Sequence, residues 1–162
     1  MSVELFLKID GVDGESQKTG HEKEIEIFSF SMGASNPSTV SSGTGSGAGK
    51  VDISSMTVQK TVDIGSAKLF LTCCSGKHFD TATLTAREAG GDSPVEYWTM
   101  NFKEVYIDNI SWGGATGGGK PTESMSFSFK EVKITYWSQS AQGAKGDKAE
   151  GGWNVGTNAA AA

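Results

Sequence analysis

Val3, Leu5, Leu7 and Ile9 alternate with Glu4, Phe6, Lys8 and Asp10, the period of two that sets one face of a strand on a core. After a polar connection over 11–20, a second strand is predicted over 24–32. Ile25 and Ile27 lie on one phase and continue into Ser29 and Ser31, while Phe28, Phe30 and Met32 lie on the other. A strand that is apolar on one side and turns small and polar on the other suits a wet surface. Thr/Val/Ile-rich sequence resumes over 51–63. A hairpin follows, 79–88 with 95–109, joined by Ala-Gly-Gly-Asp-Ser-Pro, and its second strand changes phase between Phe102 and Tyr106. The last long strand, 123–137, has Met125, Phe127 and Phe129 on one phase and Val132, Ile134 and Tyr136 on the other. One extra residue near Lys130 or Glu131 keeps both groups inward, so a β-bulge is expected there.

One stretch of the body reads as a helix. Over 66–75, Leu69 with Cys73 and Phe70 with Cys74 fall at helical spacing, Gly65 or Ser66 starts it, and Gly76 suits the left-handed position past its end. About seven strands and a short helix without β/α alternation predict a mainly β, antiparallel two-sheet barrel or sandwich. Two segments fall outside this pattern. Residues 33–50 are Gly/Ser-rich with one large apolar side chain, Val40, and read as a loop inserted between strands, longer than compact domains commonly carry without a use for it. Residues 138–162 are poor in large apolar side chains except Trp153 and Val155, and read as a surface tail anchored by Trp153, with the closing alanines unstructured.

Composition narrows the function. The 162 residues suffice for one domain with its own core, and the formal charge of −5, from scattered carboxylates, argues against nucleic acid or an anionic membrane as partner. Cys73 and Cys74 are vicinal, which disfavours an ordinary disulfide and suits a reducing compartment; on the helix they read as small buried apolar residues. No leader of the secretory type opens the sequence, so synthesis in the cytoplasm is expected, with a leaderless export route left open. Gly45-Ser46-Gly47-Ala48-Gly49-Lys50 invites a phosphate-loop reading, but Thr44 stands where glycine is required, Val51 replaces Ser or Thr, and a strand follows instead of a helix. His21 and His78 sit in no zinc spacing, and Ser75 beside His78 has no orienting third group. No catalytic set, metal site or cofactor is therefore expected. Trp98, Trp112, Trp137 and Trp153 leave a carbohydrate-binding or adhesive β-sandwich as the alternative reading.

A set of short segments, in order along nearly the whole chain, carries a resemblance. They are Phe6-Leu7-Lys8-Ile9 with Gly14-Glu15-Ser16, the strand 24–33, Gly47-Ala48-Gly49-Lys50-Val51, Cys74-Ser75-Gly76-Lys77-His78-Phe79, Arg87-Glu88-Ala89-Gly90-Gly91, Val95-Glu96-Tyr97 and Gly152-Trp153-Asn154. Together they resemble Hcp, the hemolysin-coregulated proteins that form the inner tail tube of bacterial type VI secretion systems. The resemblance implies a two-sheet barrel with the helix, 64–76, on its side. It implies a homo-hexameric ring stacked into a tube, partnered by a VgrG-type spike, contractile sheath and baseplate proteins and small secreted effectors, and exported without a signal peptide. On that reading Ser29, Ser31 and Ile27 face the lumen or its effectors. The arm 34–50, with Ser38, Ser41, Gly45, Gly47 and Lys50, reaches the next ring.

Overall fold

The two longest strands, β8 (Val95–Gly113) and β9 (Thr122–Gln139), form an antiparallel hairpin that runs through both layers of the molecule. The computed structural model describes residues 2–37, 49–90 and 93–161. On β8 the buried residues pass from Met100 and Phe102 to Val105 and Ile107. On β9, directly opposite, they pass from Val132 to Phe129 and Phe127. With side chains alternating every residue, such a change of phase keeps one face inward only if an extra residue is inserted. Both strands insert one. Pairing runs through Lys103↔Glu131 and resumes at Val105↔Phe129, with Glu104 at φ 54° and Lys130 between them.

The β-bulge expected near Lys130 does not form: Glu104 and Lys130 stand opposite each other, one on each strand. Because Glu104 mirrors Lys130, the register is unchanged there and the hairpin bends as a unit. The register shift that does occur lies on the other strand, at Asp108, between Ile107 and Asn109.

That bend makes two layers. In the first, the 95–103 and 131–139 halves are flanked on one side by β10 (Lys145–Asn154) and β11 (Ala159–Ala160). On the other side lie β7 (His78–Ala89), β1 (Ser2–Ile9) and β2 (Ile25–Glu26). In the second, the 106–113 and 122–128 halves are extended by β6 (Met56–Thr61) and then β3 (Ser29–Ser31). The core lies between: Leu7, Leu84, Met100 and Val132 from the first layer meet Met56, Val58, Met125 and Phe127 from the second. Phe102 sits edge-on to Phe127 at 5.1 Å. The chain steps between layers at Ile27 and Phe28, whose N–H groups donate to Leu5 O at 3.2 Å and Gln59 O at 2.7 Å. The result is a sandwich of barrel-like outline, mainly β and antiparallel as expected, with the barrel left open.

The helix, α1 (Ser66–Ser75), starts after Gly65 and stops at Gly76, whose φ of 71° allows its N–H to reach back to Thr72 O. Leu69 is its fully buried anchor. Cys73 is only half-buried and Cys74 is exposed, so the expectation of two buried cysteines fails. A helix lying on one side of a core buries one stripe, and the column of Phe70 and Cys74 lies outside it.

Three further departures share a cause, non-local pairing. Phe6, on the polar phase of β1, is fully buried because His21 stacks on it at 4.3 Å and Arg87 lies over it at 4.9 Å. The start of the arm is not loop but strand, β4 (Ala34–Ser35), paired with β5 (Asp52–Ile53) from the strand-like stretch that follows the arm. The C-terminal segment, read as a tail, contributes β10 along β9, through pairs such as Gly151↔Ile134. It also contributes β11, which pairs Ala160 with Trp153.

Candidate assembly surfaces

In the second layer, strict alternation turns Phe30, Val58, Met125 and Ile110 toward the core and the residues beside them outward. Cross-strand register then assembles two outward rows across all four strands. One is Ser31, Thr57, Ser126 and Asn109, and the other is Ser29, Gln59, Ser124 and Ser111. All eight are uncharged hydrogen-bonding residues. They also bond to one another, Gln59 Nε2 donating to Ser124 Oγ at 2.9 Å and Thr57 Oγ1 to Ser126 Oγ at 3.4 Å. Beside the rows, the Asp108 carboxylate accepts from Ser55 Oγ at 2.7 Å and Ser128 Oγ at 2.9 Å, so both of its oxygens are engaged.

Ser29 and Ser31 thus stand exposed on one face, with six partners that a reading of the single strand did not find. Ser124, Ser126 and Ser128 alternating with Met125, Phe127 and Phe129 was the available signal. Ile27 is a correction: it is 6% exposed and belongs to the core, because the chain is still paired with β1 at that point and has not yet entered the second layer.

The first layer's outer surface is chemically different. Lys103 meets Glu131 at 3.1 Å, Lys133 and Lys148 meet Glu150 at 2.7 and 3.0 Å, and Arg87 and Lys18 meet Glu4 at 2.7 and 3.3 Å. The Arg87 guanidinium holds the Glu4 carboxyl below its ordinary value, and Lys133 with Lys148 does the same for Glu150. At the bend, the Tyr106 hydroxyl donates to Glu104 at 2.8 Å, which lowers the carboxyl and raises the phenol.

Two charges of the second layer are turned inward. Lys60 and Glu123 are both fully buried and paired at 2.5 Å. Lys60 also reaches Asp63 at 3.1 Å and Ser66 Oγ at 3.3 Å, and Trp112 Nε1 donates to the second Glu123 oxygen at 2.7 Å.

The remaining expected site residues lie at the base of the arm and beyond it. Ser38, Ser41, Gly45 and Gly47 lie outside the described residues, and Lys50 is exposed beside the β4–β5 ribbon. Trp153 on β10 borders two grooves at that base. An apolar one of about 470 Å³ runs between Met32, Ile53, Ile134 and Gly151, and one of about 480 Å³ is lined by Asn36, Val51 and Asn158. The four tryptophans differ in setting: Trp98 and Trp153 bury indole nitrogens that have no hydrogen-bond partner among the described residues, Trp112 bonds Glu123, and Trp137 is covered by Lys145 at 4.1 Å. Among the described residues no group of His, Cys, Asp and Glu is placed to hold a metal ion, and no helix is long and apolar enough to cross a membrane.

Comparison with known proteins places this architecture. The family described as "Type VI secretion system effector, Hcp" matches residues 6–136. The chain is 39% identical to Protein hcp1 of Pseudomonas aeruginosa over 159 residues, covering 98% of each. Among solved structures, a type six secretion system protein superposes with a TM-score of 0.92 at 35% identity, over 99% of this chain and 100% of that one. Hcp1 of Salmonella typhimurium superposes at 0.82 and 32%, with the same coverage. These findings give no support to a carbohydrate-binding module. The chain belongs to the Hcp family of type VI secretion proteins.

Proposed function

We propose that this protein is the subunit of a type VI inner tube. Six copies form a ring with the neutral face of the second layer turned to the lumen, and rings stack into a tube that supports a VgrG-type spike and leaves the cell on sheath contraction. The observation that carries the reading is the pair of uncharged rows spanning four strands, because a surface that faces five copies of itself across a narrow channel must avoid like charge. Ser29 and Ser31 then line the channel with Thr57, Gln59, Ser124 and Ser126, and contact a small effector through hydroxyl and amide groups. The arm 34–50 reaches the neighbouring ring from the β4–β5 base, where Trp153 braces it. The protein works as a scaffold and carrier and not as an enzyme, made in the cytoplasm and exported by the type VI apparatus.

Negative-stain microscopy tests the assembly: six-fold rings are expected, and monodisperse monomers overturn it. Ser31→Gln should leave rings intact and reduce retention of a co-expressed effector by at least tenfold, and unchanged retention removes Ser31 from the lumen. Deleting 38–48 should leave hexamers and abolish tubes.

A further inference from the structure

The buried Lys60–Glu123 pair lies in a row with two exposed aromatic residues at opposite edges of the second layer. Lys60 pairs with Glu123 across β6 and β9, and Glu123 pairs with Trp112 across β9 and β8. On the other side Ser29 pairs with Gln59, so the preceding residue, Phe28, stands beside Lys60, with its N–H on Gln59 O at 2.7 Å. The row therefore reads Phe28, Lys60, Glu123, Trp112 from edge to edge. Phe28 is 63% exposed on the β3 edge, and Trp112 is 46% exposed on the β8 edge.

Beside Trp112 the surface is concave. Val62, Ser66, Ala67, Phe70, Trp112 and Pro121 line an apolar groove of about 390 Å³, and Phe70, 48% exposed, meets the Trp112 ring edge-on at 5.5 Å. A ring-shaped projection on one edge and an apolar groove on the other, at one level of the sheet, form a head-to-tail pair that closes by rotation.

We infer that Phe28 of one copy seats in the Trp112–Phe70 groove of the next, and that Glu123, held by Lys60, sets the Trp112 indole to receive it. The inference rests on the ring reading above and names the contact that closes the ring. The occupant is a second copy because the two halves of the contact sit on opposite edges of one chain, in register. Side-by-side docking of the β8 edge on the β3 edge also continues the two neutral rows from copy to copy. Glu123 acts as a positioning residue. It accepts the indole N–H, and its charge is matched inside the subunit by Lys60, so the groove presents an apolar surface.

Light scattering after size exclusion tests the contact on the full chain, with rings of the unmodified protein as the reference. Phe28→Asp, at an exposed position, should reduce the mass from six chains to one of 17.0 kDa with unchanged circular dichroism, and Phe28→Trp should keep the ring. A hexamer of Phe28→Asp overturns the inference while leaving the ring reading intact; absence of rings in the unmodified protein overturns the ring reading itself. As an independent measurement, Phe28→Cys with Ala67→Cys in a Cys73→Ala, Cys74→Ser background should give a ladder up to six chains with a short bismaleimide. Rings that yield no ladder place Phe28 away from the groove.

Discussion

The two outer faces of this sandwich are built by the same hairpin and cover the same core, yet among the described residues one carries ion pairs and the other carries none. On the 95–103 and 131–139 halves, Lys103, Glu131 and Lys133 point outward. Past the bend at Glu104 and Lys130, the outward positions become Asn109, Ser111, Ser124, Ser126 and Ser128. Of the charges of that second layer, Lys60 and Glu123 are turned inward and paired, and the exposed Asp108 carboxylate at the margin of the rows is held by Ser55 and Ser128. A face that meets water or an unlike partner gains solubility and steering from mixed charge. A face that meets copies of itself repeats every charge it carries, and those like charges repel most at low salt, where the screening length is long. On the ring reading proposed above, the two faces meet different neighbours.

The largest effect is expected where the neutral face is maintained from beneath. Replacing Glu123 by Leu leaves Lys60 buried without its closest partner, and removal of one member of such a pair costs about 3–5 kcal/mol. Urea unfolding of Glu123→Leu should show that loss, and Lys60→Met added to it should recover most of it. A single variant within about 0.5 kcal/mol of the original would mean that water reaches Lys60 and that the pair does not separate the faces.

Next is the anchor of the charged face. Arg87 donates to Glu4 at 2.7 Å and to Thr19 O at 2.9 Å, and covers Phe6, so Arg87→Leu should cost about 2 kcal/mol at neutral pH. The sign with pH follows from Glu4, whose carboxyl is held below its ordinary value of 4.5 chiefly by the Arg87 hydrogen bond. A lowered folded-state value contributes stability that is complete above the unfolded value and fades as pH falls through the folded one. The gap between the original protein and Arg87→Leu should therefore be widest above about pH 5 and narrow toward pH 3. A gap independent of pH would assign the cost to packing on Phe6 alone.

How legible these features were depended on whether one strand held the information. Met125, Phe127 and Phe129 against Ser124, Ser126 and Ser128 announces a two-sided strand from sequence alone, and Gly76 announces the end of α1. The core, the helix and the fold class followed from such local signals. Ser29 and Ser31 were recognised as a polar face, but their six row partners are set by register, which no single strand states. Ile27 shares their phase but not their face, because the chain changes layer at Phe28. β10 lacked a signal because residues 145–151 are exposed on both sides, so backbone pairing to β9 places it without an apolar stripe. Phe6 was hidden because its cover, His21 and Arg87, comes from distant sequence.

Adding charge to the neutral face should barely touch the fold and yet disrupt the assembly. Thr57→Glu with Ser126→Glu sets two carboxylates opposite each other at half-exposed positions of one row, so monomer stability should fall by only about 1 kcal/mol. In a ring the twelve added carboxylates face one another, and repulsion between them is screened by salt. Rings of this variant should dissociate at low ionic strength and reform near 0.5 M NaCl, read by light scattering. Rings indifferent to salt would turn that face outward and reverse the assignment of the two surfaces.

The smallest effect belongs to an exposed pair on the charged face, and its smallness is the point. Lys103 and Glu131 lie 3.1 Å apart with the lysine side chain 69% exposed, a setting in which ion pairs contribute about 0–1 kcal/mol. Lys103→Ala should change the unfolding free energy measured in urea by about 0.5 kcal/mol or less, with the difference vanishing at high salt, and should leave rings intact. One positive charge lost there is one of several alternating with carboxylates, whereas one charge gained on the neutral face is repeated at every copy around the channel. If Lys103→Ala broke rings as readily as Thr57→Glu with Ser126→Glu, the charged face would itself be a subunit contact, and mixed charge would no longer separate the two surfaces.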